Sequence, residues 1–289
     1  MTNLILGTAQ FGSGYGITNE LGRISDNSIS EILAVAQEAG IDLFDTAPDY
    51  GDAQARLGSL RGTESSPRYV SKFSLADSGE FIVGGETLYA SSLADLRVDT
   101  LYGLLFHRVA DLRDSRATVA WNVLTKAREA GVISRIGASI YDPNDLEIVV
   151  ERFPDLDLIQ FPGNLLDRRL LEHPEVHRLH AAGVEVHVRS AYLQGILLAE
   201  PERLPQHFAP LQTVLEKIRH DAKERNTTAM GLALGYLKHH PVVDAVLVGA
   251  TTPDELRSTV DAWTATNAES AISVPDLPQE ILDPRLWKL

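Results

Sequence analysis

Apolar and polar positions along this 289-residue chain alternate between two periods. The segments "AQEAGIDLFD", "AREAGVISRIG" and "HAAGVEVHV" each pass from an amphipathic stretch through Ala-Gly into a β-branched apolar run. Gly40, Gly131 and Gly183 suit the left-handed position that closes a helix. The apolar runs that follow are short and nearly continuous, as in parallel strands covered on both faces. Helix then strand, repeated, is the pattern of βαβ units.

Eight runs are predicted as strands: Leu4–Thr8, Ile41–Asp45, Arg68–Lys72, Leu101–His107, Ile133–Ser139, Leu156–Phe161, Val184–Ser190 and Ala245–Ala250. Helices are predicted over Ser28–Ala39, Ser115–Ala130 and Asp167–Ala182. The interval from Ser190 to Asp244 is too long for one crossover; it reads as an extended loop to about Pro210 and two helices, the second Ala229–His239. The tail "VPDLPQEILDPRLWKL" reads as an extension across the structure. Eight units imply the α/β class and one (β/α)8 TIM barrel over residues 1–289, with chemistry on loops at the C-terminal strand ends. An open doubly wound sheet is the alternative. It would carry G-x-G-x-x-G after the first strand, whereas "GTAQFGSGYG" spaces Gly12, Gly14 and Gly16 as G-x-G-x-G with no helix pattern following.

Composition narrows the picture. A hydrophobic content of 44% allows a substantial core, and the net charge of −14 argues against nucleic acid or an anionic membrane as partner. No apolar run reaches 18 residues, and "MTNLILGTAQ" has no basic leader segment, so a soluble cytoplasmic protein is expected. The absence of cysteine excludes disulfides and thiolate metal sites.

Candidate chemistry gathers at three consecutive predicted strand ends. Asp45 closes the second strand, Tyr50 follows it in "DTAPDYG", Lys72 closes the third in "RYVSKF" and His107 closes the fourth in "LLFHR". A phenol is a poor acid near neutrality, with an unperturbed pKa of about 10. An ammonium beside it is expected to lower that value by about 2–3 units. In this scheme Asp45 orients Lys72, and His107 bonds the substrate oxygen or shares the proton. Singly, each has a plain structural role open to it: a turn cap, a gap filler, an ion pair and a core histidine.

These segments, with "LGTAQFG", "RIGAS", "LIQFPGNLLDR", "RSAYLQGIL" and "VLVGATTPDEL", resemble those of the aldo-keto reductases, in family order from residue 4 to about 265. The resemblance implies a barrel carrying an Asp, Tyr, Lys, His tetrad and hydride transfer between a nicotinamide cofactor and a carbonyl/alcohol pair. Tyr50 would be general acid in reduction and general base in oxidation, and the developing alkoxide would be met by Tyr50 and His107. By the same resemblance Thr8, Ser139 and Gln160 lie at the cofactor, the latter two at the nicotinamide carboxamide. Ser190 through Gly195, including Leu193, would cover the pyrophosphate. Gly249, Thr251, Glu255 and Thr259 would surround the adenosine ribose.

Four departures stand out. Ile140 replaces an Asn after Ser139, Arg189 stands at the position of a nicotinamide-stacking aromatic, and Gln54 replaces a Glu. Glu255 occupies the place of an Arg that grips a 2′-phosphate. A carboxylate repels that phosphate and accepts a hydrogen bond from a free 2′-hydroxyl, although Arg257 is two residues on. NADP(H) and NAD(H) therefore stand as equal candidates. The N-terminal hairpin of many members is expected to be short or missing, with the tail around Trp287 as a candidate cover for the barrel bottom. A small carbonyl compound or sugar is the expected partner, with Phe11, Tyr15, Phe73 and Tyr141 lining its pocket. Monomer is the default state of assembly.

Two competing readings remain. "HPEVHRLH" places His173, His177 and His180 at helical spacing, but without H-E-x-x-H order and with Pro174 in the first turn. This reads as a solvated helix face, and no metal is expected. The chain could also be a non-catalytic nicotinamide-nucleotide sensor on the same fold.

Overall fold

Eight strands, counted among the described residues, pair in parallel and in chain order until the last meets the first: β1 (Asn3–Gly7), β2 (Leu43–Asp45), β3 (Arg68–Phe73), β4 (Leu101–Phe106), β5 (Ile133–Ser139), β6 (Leu158–Pro162), β7 (Glu185–Arg189) and β8 (Ala245–Gly249). This is a closed (β/α)8 TIM barrel. The computed structural model describes residues 2–14, 22–60, 62, 67–76, 86–266 and 274–287. The observed strand ends lie within one or two residues of the runs read from hydrophobic pattern.

The barrel alternates in-facing and out-facing side chains along each strand. Ile5, Leu43, Val70, Leu105, Leu158 and Leu247 form an inner apolar layer. Leu6, Phe44, Tyr69, Phe106 and Ile159 belong to the larger cluster between strands and helices. Two residues beyond Leu43 and Val70, in the same inward columns, stand Asp45 and Lys72.

Helices begin and end where local chemistry satisfies their free backbone groups. Ser25 accepts from Ser28 N at 3.1 Å to cap the helix Asp26–Glu38. Asp142 and Asp145 form a reciprocal capping box on Pro143–Arg152. Gly40, Gly131 and Gly183 have φ of +71°, +75° and +95° after their helices. The interval after β7 holds short turns and then two helices, Gln212–Glu224 and Ala229–Lys238. No helix among the described residues is long and apolar enough to cross a membrane.

Two expectations are corrected. The helix expected over residues 167–182 spans only Pro174–Ala181. Pro174 fits the first turn, where no N–H is needed, and the His173 ring accepts from Glu175 N at 3.2 Å. Upstream, Asn164 Oδ1 accepts from Leu166 N and Asp167 N, which holds a turn instead of a helix. The tail does not cover the barrel bottom. Trp287 packs edge-on to Phe208 at 5.0 Å, within a second apolar cluster that includes the helix Gln212–Glu224. Arg285 reaches Asp142, just after β5, at the C-terminal end of the barrel. The opposite end is filled by Tyr102, whose hydroxyl donates to Glu185 Oε2 at 2.6 Å beneath the guanidinium groups of Arg68 and Arg135.

Candidate active site

The C-terminal ends of β2, β3 and β4 bring Asp45, Tyr50, Lys72 and His107 into one cavity of about 680 Å³. Lys72 is fully buried, and its Nζ donates to Asp45 Oδ1 at 2.5 Å, Thr46 O at 3.2 Å and the Tyr50 hydroxyl at 3.3 Å. The His107 ring meets the Tyr50 ring edge-on, with centroids 5.7 Å apart. Two glycines set the place of the phenol. A Cβ on Gly12 would stand 1.7 Å from Tyr50 O, and Gly51, at φ +64°, lies against Gly12 O. The turn carrying Tyr50 is thus seated on bare backbone after β1.

Burial dominates the electrostatics. It raises the Tyr50 pKa far above the usual phenol value, and the Asp45 carboxylate raises it further. This reverses the expectation that Lys72 lowers it. The ammonium is pinned to a carboxylate 2.5 Å away, so little net positive charge reaches the phenol. Burial also lowers the Lys72 pKa, against the pull of Asp45. His107 is lowered to about 4, first by burial and then by the Lys72 charge, with Asp49 and Asp45 opposing. Near neutral pH the cavity therefore holds a protonated phenol and a neutral imidazole.

Some supporting contacts escaped the sequence, although Gln160, Ser139 and Thr8 were expected at the cofactor. Gln160, fully buried on β6, donates through Nε2 to Asp45 Oδ2 at 2.7 Å and accepts from Ser139 Oγ at 3.3 Å. Asp45 is thus held on both oxygens, from β3 and from across the barrel. Thr8 Oγ1 donates to Asp45 O at 2.9 Å. Beneath the site, Gln54 donates to Ser71 Oγ at 2.7 Å and Ser92 Oγ at 3.2 Å, tying the helix Ala53–Leu60 to β3. Only knowledge of which strand ends converge reveals such contacts.

From the tetrad the cavity wall continues past Arg189, Ser190 and Gly195 to Gly249, Thr251, Glu255 and Thr259. Ser190, Leu193, Gln194 and Gly195 all have positive φ, three of them with side chains, which is a costly backbone for a plain connector. Leu193 itself points into the second apolar cluster. Arg189 lies over the Tyr141 ring at 4.1 Å and donates to Ile140 O at 3.2 Å; Arg285 covers the ring at 4.1 Å. At the far end, Thr252 caps the helix Pro253–Ala265. The Glu255 carboxylate accepts from Thr251 N at 2.7 Å and Thr251 Oγ1 at 2.8 Å. Arg257 pairs with Asp254 at 3.1 Å and does not line the cavity.

Of the pocket residues expected for substrate, Tyr141 lines the cavity. Phe73 and Phe11 do not. Phe73 follows inward-facing Lys72 and so turns outward, where it packs on Phe106 at 4.6 Å. Phe11 is fully buried in the outer cluster. Tyr15 lies outside the described residues. The three histidines of "HPEVHRLH" diverge: His173 caps its helix, His177 meets Leu171 O at 3.1 Å, and His180 meets Asp244 at 3.4 Å.

Residues 3–273 match the sequence profile of the Aldo/keto reductase family. An aldo-keto reductase of Mycolicibacterium smegmatis is 30% identical over 45% of this chain, a match spanning only 46% of that protein. The NADH-specific methylglyoxal reductase of Escherichia coli is 26% identical over 91% of this chain and 90% of its own. An aldo-keto reductase structure from Bacillus halodurans, in holo form, superposes with a TM-score of 0.71 at 22% identity, covering 99% of this chain and 92% of that one.

Proposed function

Because this chain belongs to the aldo/keto reductase family, we propose that it interconverts a small carbonyl compound and its alcohol with a nicotinamide cofactor. The observation that carries this reading is the Lys72 Nζ 3.3 Å from the Tyr50 hydroxyl, inside a cavity whose wall runs on from the tetrad to Glu255 and Thr259. A dihydronicotinamide bound there would supply the hydride. Tyr50 gives its proton to the carbonyl oxygen as charge develops there. Lys72 holds the phenol by hydrogen bond and keeps donating to the oxygen once its proton has left, while Asp45 and Gln160 hold Lys72 in line. In oxidation the same phenol oxygen takes the proton back. A neutral phenol at rest suits the donor role in reduction.

The residues present fit such a cofactor. Ser190, Gln194 and Gly195 line the cavity on left-handed backbone, and an amide and a hydroxyl stand at Gln160 and Ser139. Glu255 supports NADH over NADPH. The helix start that would receive a 2′-phosphate already holds its own carboxylate, bonded to Thr251, and a second anion there is repelled. The relative from Escherichia coli is itself described as NADH-specific. For a non-catalytic sensor, the proton-donor geometry would have no use.

The test is Tyr50→Phe in an absorbance assay across aldehydes, ketones and sugars. Loss of kcat by about 100-fold or more, with NADH affinity kept, is expected from removing a general acid. Undiminished turnover removes Tyr50 from the role. Tight NADH binding with no turnover of any carbonyl by the unaltered protein would favour the sensor.

A further inference from the structure

The chemistry described so far makes no use of Arg189, the last residue of β7. Residues two apart on a strand share a face, so Glu185, His187 and Arg189 form one inward column. Glu185 meets Tyr102 at the bottom of the barrel, His187 is fully buried above it, and Arg189 emerges in the cavity wall with the tetrad. A hydrogen bond to Ile140 O at 3.2 Å and the Tyr141 ring at 4.1 Å hold its guanidinium in place.

Its charge differs from the neighbouring cations in having no counter-ion. Lys72 is paired with Asp45 at 2.5 Å and Arg108 with Asp49 at 3.0 Å. Arg285, which shares the Tyr141 ring, is paired with Asp283 at 2.6 Å and Asp142 at 3.0 Å. Among the described residues no carboxylate pairs with Arg189. The field of this cation nevertheless reaches the tetrad: it favours the ionised Tyr50 phenol and disfavours the charged forms of Lys72 and His107.

A hydride donor has to come within about 3.5 Å of the carbon it reduces, and that carbon is bonded to the oxygen that takes the Tyr50 proton. The nicotinamide ring therefore belongs at the tetrad end of the cavity. It is neutral when reduced and carries one positive charge when oxidised. A fixed cation nearby raises the free energy of the oxidised form and leaves the reduced form nearly unaffected. Lys72 adds little to this discrimination, because Asp45 cancels its charge at close range. We propose, on the nicotinamide reading above, that Arg189 sets the redox state this site prefers, holding NADH more tightly than NAD+ through an uncompensated positive charge at the tetrad end of the cavity. A guanidinium is always protonated in a protein, so the preference persists at every working pH. NAD+ formed by reduction of a carbonyl would then leave more readily than from an uncharged wall.

The test is a pair of binding titrations at pH 7, NADH and NAD+ against the protein without any carbonyl compound, read by calorimetry. The unaltered protein is expected to bind NADH about tenfold more tightly or better, a difference of about 1.4 kcal/mol. Arg189→Met, of similar length and uncharged, should cut the ratio of the two dissociation constants about tenfold, chiefly by strengthening NAD+. Arg189→Gln takes its place if the Met variant does not fold. Arg189→Lys, which keeps the charge, should keep the ratio. Arg285→Ala, which removes a cation already matched by carboxylates, should leave it unchanged. Equal affinity for the two forms in the unaltered protein overturns the proposal. So does a ratio indifferent to Arg189→Met, including the case where both forms weaken together, the mark of a contact to the pyrophosphate. If neither form binds, the redox reading falls and this role with it. An Arg189-dependent preference for NADH with no carbonyl turned over would uphold the role and count against catalysis alone.

Discussion

Each end of the barrel holds a tyrosine among acids and bases, and the two differ in where the phenolic proton is directed. At the bottom, Tyr102 donates to Glu185 at 2.6 Å under two guanidinium groups, and His187 meets the same carboxylate at 2.7 Å. Its pKa is pushed up to about 12, by burial first and then by the bond to Glu185. At the mouth, the Tyr50 oxygen accepts from Lys72, and the carboxylate nearby is held by Lys72 and Gln160. The first proton is committed to a neighbouring acid; the second faces a large cavity. A buried polar network becomes a candidate for chemistry when a transferable proton borders on space for a reactant.

The widest separation between the two ends is expected from removing each hydroxyl. Tyr50→Phe should cut kcat by about 100-fold or more with little change in unfolding midpoint. Tyr102→Phe should leave kcat within about twofold and cost about 1–2 kcal/mol of stability, read by urea denaturation. If Tyr102→Phe proves the more damaging to turnover, the contrast is void. Next in size is Gln160→Leu, which takes away the bond that fixes Asp45 from across the barrel. A fall in kcat/KM of about tenfold is expected, together with about 1–3 kcal/mol of lost stability from an acceptor left in a buried setting.

How far the sequence carried this contrast follows from periodicity. The eight units, the three glycine helix ends and the strand ends at Asp45 and Lys72 are local patterns, and they were legible. Contacts between distant strand ends were not. Gln160 on Asp45 joins residues 115 positions apart, and Tyr102 on Glu185 joins residues 83 apart. Phe73 misled because one step along a strand reverses the face, which proximity in sequence conceals. The ammonium's effect on Tyr50 was misjudged because its pairing with Asp45 at 2.5 Å and the depth of burial appear only in three dimensions.

Acid sharpens the comparison more gently. His107 titrates at about 4 in the folded protein against 6.5 for an ordinary histidine. Between those values the unfolded chain binds more protons, so this contribution to stability is complete above pH 6.5 and declines as pH falls towards 4. His240, also near 4, acts in the same direction. Urea midpoints at pH 7.5 and 4.5 should show the drop, and His107→Gln should reduce it. The smallest expected effect is at the tail. Arg285→Ala uncovers one face of Tyr141 and should raise KM a few-fold with kcat nearly unchanged, the scale of one cation–π contact.

The seam where Gly12 meets the Tyr50 carbonyl has a further consequence. A single methyl group added there finds no room, so the phenol must leave its register although no reacting atom has been altered. Loss of activity by chance substitution is therefore open to a position that neither bears charge nor touches a ligand, and a survey of damaging variants restricted to the cavity wall would overlook it.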